Sequence, residues 1–72
     1  MTRVATWNVG DGIDATKIHG LVKLRRLGVD VIGLQECGDR GRMLDEFCER
    51  TGWRLWLGDE PGSSSTPILW NP

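Results

Sequence analysis

Asp30-Val31-Ile32-Gly33-Leu34-Gln35-Glu36 is the stretch that most narrows what this chain can become. Val31, Ile32 and Leu34 place apolar side chains on both faces of a strand, the pattern of a central strand covered on both sides. The run ends abruptly on an amide and a carboxylate. In α/β sheets, ligand sites gather outside the carboxyl ends of strands, so Glu36 is either a functional group or a solvated loop acid.

Asn8 occupies the same kind of place. Arg3-Val4-Ala5-Thr6-Trp7-Asn8-Val9 mixes β-branched and aromatic residues and is followed at once by Gly10-Asp11-Gly12, so it reads as a strand closed by a turn. Between the two strands the spacing predicts a helix over 15–27. Ile18, Leu21, Val22 and Leu24 fall on one broad face and His19, Lys23 and Arg26 opposite, while Arg25 points into the apolar arc and must snorkel. Asp14 or Thr16 caps the helix start, Gly28 ends it in a left-handed turn, and Val29 makes the accompanying apolar contact. Strand, helix and strand make a βαβ unit, whose two strands are parallel neighbours. Asn8 and Glu36 are then expected at the same edge of one sheet.

Further on, Met43, Leu44, Phe47 and Cys48 repeat at helical spacing, and Thr51-Gly52 supplies a stop. Residues 53–57 read as a strand, 58–65 as a loop rich in Gly, Pro and Ser, and 66–70 as a strand returning antiparallel. Pro67 suits the start or edge of that strand. Ser63-Ser64-Ser65 lengthens the loop and does not mark a linker, and no internal repeat is present. The expected layout is β-α-β-α-β-β. With 72 residues the chain has room for one thin domain, since chains this short bury only about 60% of their unfolded surface.

Composition removes several function classes. A formal net charge of −1 and a pI near 5.7 give no overall positive field, so any nucleic-acid binding has to be local. No apolar run approaches the roughly 20 residues that cross a bilayer, which predicts a soluble, cytoplasmic protein without a membrane partner. Cys37 and Cys48 fit neither a redox pair nor a zinc knuckle, His19 has no second histidine beside it, and two reduced thiols are the expectation. The four tryptophans, Trp7, Trp53, Trp56 and Trp70, are bulky groups that something has to cover; they read as core residues of a sandwich awaiting a second sheet, and not as a base-stacking platform.

Ala5-Thr6-Trp7-Asn8-Val9 resembles the opening strand motif of the endonuclease/exonuclease/phosphatase superfamily, the metal-dependent phosphohydrolases related to DNase I and the AP endonucleases. Asp30-Val31-Ile32-Gly33-Leu34-Gln35-Glu36 resembles that family's second motif, in which Leu-Gln-Glu carries the metal-binding glutamate. Pro67-Ile68-Leu69-Trp70 is similar, less specifically, to a following strand. Two motifs in order, separated by a helix of suitable length, weigh more than either alone. The resemblance implies a four-layer α/β sandwich that hydrolyses phosphate esters with Mg²⁺ or Mn²⁺ and is incomplete in this chain, residues 1–72 forming one partial, amino-terminal domain. By the same resemblance Glu36 takes the metal-ligand position, and Asn8 helps position the metal or the scissile phosphate. Mg²⁺ is a hard cation that prefers carboxylate and amide oxygens and keeps several waters.

The resemblance also implies groups that do not occur after Glu36: a histidine acting as general acid or transition-state stabiliser, an Asp-x-Asn pair and a Ser-Asp-His. His19, the only histidine, does not match those positions and reads as a solvated helix residue. The chain is therefore expected to be inactive by itself, with a nucleic acid or phosphate ester as substrate once the fold is completed. Arg40 and Arg42 follow Glu36 and offer guanidinium groups to phosphate, although Asp39, Asp45 and Glu46 alternate with them as on an ordinary wet helix face. Lys17, Lys23, Arg25 and Arg26 likewise read as a wetted helix surface. A competing expectation is a small non-catalytic interaction protein derived from such an enzyme, which binds a partner or itself through an exposed apolar face.

Overall fold

Two strands joined by one helix can share a sheet as parallel neighbours, and the computed structural model, which describes residues 2–10, 13–37, 42–57 and 66–72, shows that pairing. β1 (Val4–Asn8) and β2 (Val31–Gln35) run side by side, with Val4 opposite Val31 and Asn8 opposite Gln35. α1 (Ala15–Arg26) connects them. Asp14 fixes its start: Oδ1 accepts the Lys17 backbone N–H at 3.0 Å, satisfying one of the donors a helix leaves open. Its end is a Schellman closure, in which the Gly28 N–H donates to the Arg25 carbonyl at 3.1 Å and the Val29 N–H to the Leu24 carbonyl at 3.2 Å. Arg3 ties strand entry to helix exit, since its Nη1 donates to the Leu27 carbonyl at 2.9 Å and its backbone N–H to Asp30 Oδ2 at 3.1 Å.

α2 (Arg42–Thr51), β3 (Arg54–Trp56) and β4 (Ile68–Trp70) complete a small α/β domain. The sheet is mixed, in the order β1-β2-β4-β3, with β4 antiparallel to both of its neighbours. β3 and β4 are shorter than the sequence suggests, because Trp53 and Pro67 are buried just outside them. Trp53 packs edge-on against Phe47 of α2, with ring centroids 5.9 Å apart at 77°. Pro67 has no N–H to give a ladder, yet its carbonyl accepts the Leu34 N–H at 3.0 Å, so it sits at the entry of β4. The loop over 58–65, residues 11 and 12, and residues 38–41 lie outside the described residues.

β2 is an inner strand, and the described residues cover one of its faces. Ile32 and Leu34 are fully buried and share a face with Leu69, which pairs with Ile32; Leu21 of α1 and Leu44 and Phe47 of α2 close over that face in one cluster. On the other face the register lines up Thr6, Gly33, Ile68 and Trp56 across the sheet, and no described element covers them. Val4, at 66% exposure, and Trp56, at 49%, stand open there. Both faces of β2 carry apolar residues, but the described residues supply helices for only one. Trp53 is buried, Trp7 and Trp70 are half-buried, and Trp56 is exposed. Cys37 and Cys48 form no disulfide. Among the described residues no helix is long and apolar enough to cross a membrane.

Candidate functional site

Parallel pairing in register puts the carboxyl ends of β1 and β2 at one rim, and the Val9 N–H carries the ladder one step further by donating to the Gln35 carbonyl at 3.0 Å. Alternation along β2 would aim residue 36 toward the helix side, where Ile32 and Leu34 point. Glu36 instead has φ +52, in the left-handed region that a residue with a Cβ seldom enters. That turn takes its side chain out of the strand's alternation and to Asn8, whose Nδ2 donates to Glu36 Oε2 at 2.5 Å.

The orientation of the Asn8 amide follows from its other contact. Asn8 Oδ1 accepts the Gly10 backbone N–H at 2.9 Å, and an N–H can donate only to the oxygen. The amide NH₂ must therefore face Glu36. One side chain thus bonds its own backbone turn and holds a carboxylate. Glu36 is exposed, and a carboxylate has about four acceptor sites, of which Asn8 uses one.

The other sequence candidates are not gathered here. Arg42 opens α2, is exposed, and makes no hydrogen bond to Asn8 or Glu36; Arg40 lies outside the described residues. His19 is exposed on α1 and lines a cleft of about 300 Å³ between α1 and α2, with Met43, Glu46, Phe47 and Arg50. Glu46 and Arg50 pair with each other at 2.8 Å. Among the described residues no group of three or more His, Cys, Asp or Glu side chains could hold a metal. Sequence reasoning did not foresee the backbone turn at Glu36, for which a glutamate gives no signal.

In comparisons with known proteins, no family model, no curated protein and no solved structure matches this chain.

Chemically, the pair offers one exposed carboxylate held in place by a neutral donor. All the donor atoms available to a ligand there are oxygens, which suits a hard divalent cation and not a thiophilic one. One carboxylate is within the usual provision for Mg²⁺, which keeps several waters and takes further oxygens from a phosphate substrate.

Proposed function

We propose that this chain is the amino-terminal part of a Mg²⁺- or Mn²⁺-dependent phosphoesterase of the endonuclease/exonuclease/phosphatase type, acting on phosphodiester bonds in the cytoplasm. The observation that carries the reading is the Asn8–Glu36 hydrogen bond, made by the two residues that the family motifs single out. Glu36 supplies the carboxylate to the metal. Asn8 acts through it, by fixing one oxygen with its NH₂ while its own oxygen is held by the Gly10 N–H. When bound, the metal supplies Lewis-acid stabilisation of charge on phosphoryl oxygens. Arg42, exposed at the start of α2, and Arg40 are proposed phosphate contacts. The open face with Val4, Ile68 and Trp56 is where the second sheet of a four-layer sandwich would pack, so this chain by itself is inactive.

Mn²⁺ titration followed by nuclear magnetic resonance tests the site directly, because the ion's unpaired electrons broaden nearby signals. The expected result is broadening centred on Asn8 and Glu36 and abolished in Glu36→Gln. Broadening spread over Asp45, Glu46 and Glu49, or unchanged in that variant, would overturn the reading. EDTA-sensitive cleavage of DNA or RNA by the purified chain would refute its inactivity.

A second reading has one observation in its favour, the same open face with Val4, Trp56 and Ile68 at 66, 49 and 36% exposure. A non-catalytic protein would use that face to join a partner or a second copy. Sedimentation that stays monomeric as concentration rises removes the self-association branch.

A further inference from the structure

Asn8 and Glu36 leave one polar side chain of their rim unused, the carboxamide of Gln35. Asn8 and Gln35 are Cα partners in the parallel register, so their side chains leave the sheet on the same face, on strands about 4.8 Å apart. That face is the open one: Ile32 and Leu34 are buried on the helix side, and Val31, Gly33 and Gln35 alternate with them. A Cβ placed on Gly33, two residues back on the open face, would meet nothing within 4 Å, so the Gln35 side chain does not fold back along β2. Gln35 is half-buried, yet its carboxamide makes no hydrogen bond among the described residues. No buried side-chain nitrogen or oxygen there lacks a partner, so both polar atoms of Gln35 reach solvent.

The Asn8 carboxamide is already committed, its oxygen to the Gly10 N–H and its NH₂ to Glu36. Gln35 is the second amide on this rim, and its NH₂ is free to donate. A phosphate drawn to the rim meets the negative charge of Glu36, which repels it. A lysine or arginine at residue 35 would offset that repulsion, but it would also pair with Glu36 and compete with a cation for the carboxylate. A carboxamide donates without carrying charge, and so can hold a phosphate oxygen while Glu36 stays available.

We infer that Gln35 is a substrate-binding residue, whose Nε2 donates a hydrogen bond to a non-bridging oxygen of a phosphodiester at the Asn8–Glu36 rim. The assignment rests on the metal reading above and adds to that site a second residue of the strand end that carries Glu36. A phosphodiester bears a single negative charge, which a neutral donor suits.

Dimethyl phosphate, added to the full chain in saturating Mg²⁺, is the probe, and nuclear magnetic resonance is the readout. The Gln35 side-chain NH₂ signals should move as the phosphate binds and stay still when Mg²⁺ is left out. Gln35→Met keeps the length of the side chain and removes the donor. Followed at the Glu36 backbone amide, it should weaken dimethyl phosphate by about tenfold, the size of one hydrogen bond to a charged group. Mn²⁺ broadening at Asn8 should be the same in this variant as in the parent. NH₂ signals that stay still while the Asn8 and Glu36 amides shift overturn the proposal, and so does a Mg²⁺-loaded chain that shows no shift at all. Equal affinity in Gln35→Met overturns it too, and loss of Mn²⁺ broadening in that variant would make Gln35 a metal ligand instead. The NH₂ readout needs no substitution, so it decides the matter even if the variant does not fold. Absence of Mn²⁺ broadening at Asn8 in the parent chain sinks the metal reading and this contact with it, whereas failure of the contact alone leaves that broadening intact.

Discussion

Gly20 lies on the indole of Trp7: a Cβ at residue 20 would come within 2.6 Å of Trp7 Cη2 and 3.0 Å of Cζ3. Glycine in the middle of a helix costs about 1 kcal/mol relative to alanine, so this position forgoes local stability for a close approach of α1 to β1. Gly20→Ala restores that propensity but forces a stiff, half-buried ring to move, and overpacking of this kind costs about 1–3 kcal/mol. The expected balance is a loss of about 1 kcal/mol, read as a lower urea midpoint with an unchanged denaturant slope. A midpoint at or above the parent's would mean that the ring yields freely.

Glu36 holds a left-handed backbone that costs a residue with a Cβ roughly 1–2 kcal/mol. Glu36→Gly removes that strain while adding about 0.5–1 kcal/mol of chain entropy to the unfolded state. Relative to Glu36→Ala, which loses the same bond to Asn8, stability should therefore rise by up to about 1 kcal/mol, while Mn²⁺-induced broadening at Asn8 is absent in both variants. Strain retained at a residue whose loss abolishes binding is the pattern of a functional position. If thermal unfolding shows the glycine variant to be less stable than Glu36→Ala, which loses the same Asn8 bond, residue 36 is not strained.

The parts legible in the sequence were those fixed by local chemistry. The Asp14 cap, the Gly28–Val29 helix exit and the Thr51-Gly52 stop each follow from what a backbone donor, a left-handed turn or a helix end requires. The meeting of Asn8 and Glu36 was legible because parallel strands joined by a helix have little choice of placement. Coverage of β2 was not, since apolar residues on both faces show what a strand can bury and not what the chain supplies to bury it. Nor was the short reach of β3, where Trp53 leaves the ladder to pack on Phe47, a tertiary contact that no periodicity encodes.

Gly28 offers a clean separation of backbone strain from crowding. A Cβ there would meet Arg3 Nη1 at 3.6 Å, an ordinary contact, so space is not what excludes a side chain. Its φ of +87 is. Gly28→Ala should cost about 1–2 kcal/mol from the left-handed conformation alone. Arg3→Ala, which removes an exposed bond to the Leu27 carbonyl at the same helix end, should cost only about 0.5 kcal/mol. Equal losses in chemical denaturation would mean that the cap, and not the turn, holds the end of α1.

Cys48 gives the fold a defined alkaline sensitivity. Burial pushes its thiol above the ordinary value of 9.0, and the carboxylate of Asp45 on the same helix adds to the effect by opposing a second negative charge. The folded state thus holds this proton more tightly than the unfolded chain does. The resulting stability is present in full below pH 9.0 and is lost as pH rises from there through the higher folded value. Cys48→Ser should flatten that part of the stability profile, and Asp45→Asn should shift its midpoint to lower pH by removing the smaller of the two causes. The thiolate is the reactive form, so alkylation of Cys48 in the folded chain should lag behind that of an unfolded thiol at neutral pH and approach it only under alkaline conditions. Equal alkylation rates in folded and denatured chain at neutral pH would show that neither burial nor Asp45 holds the proton.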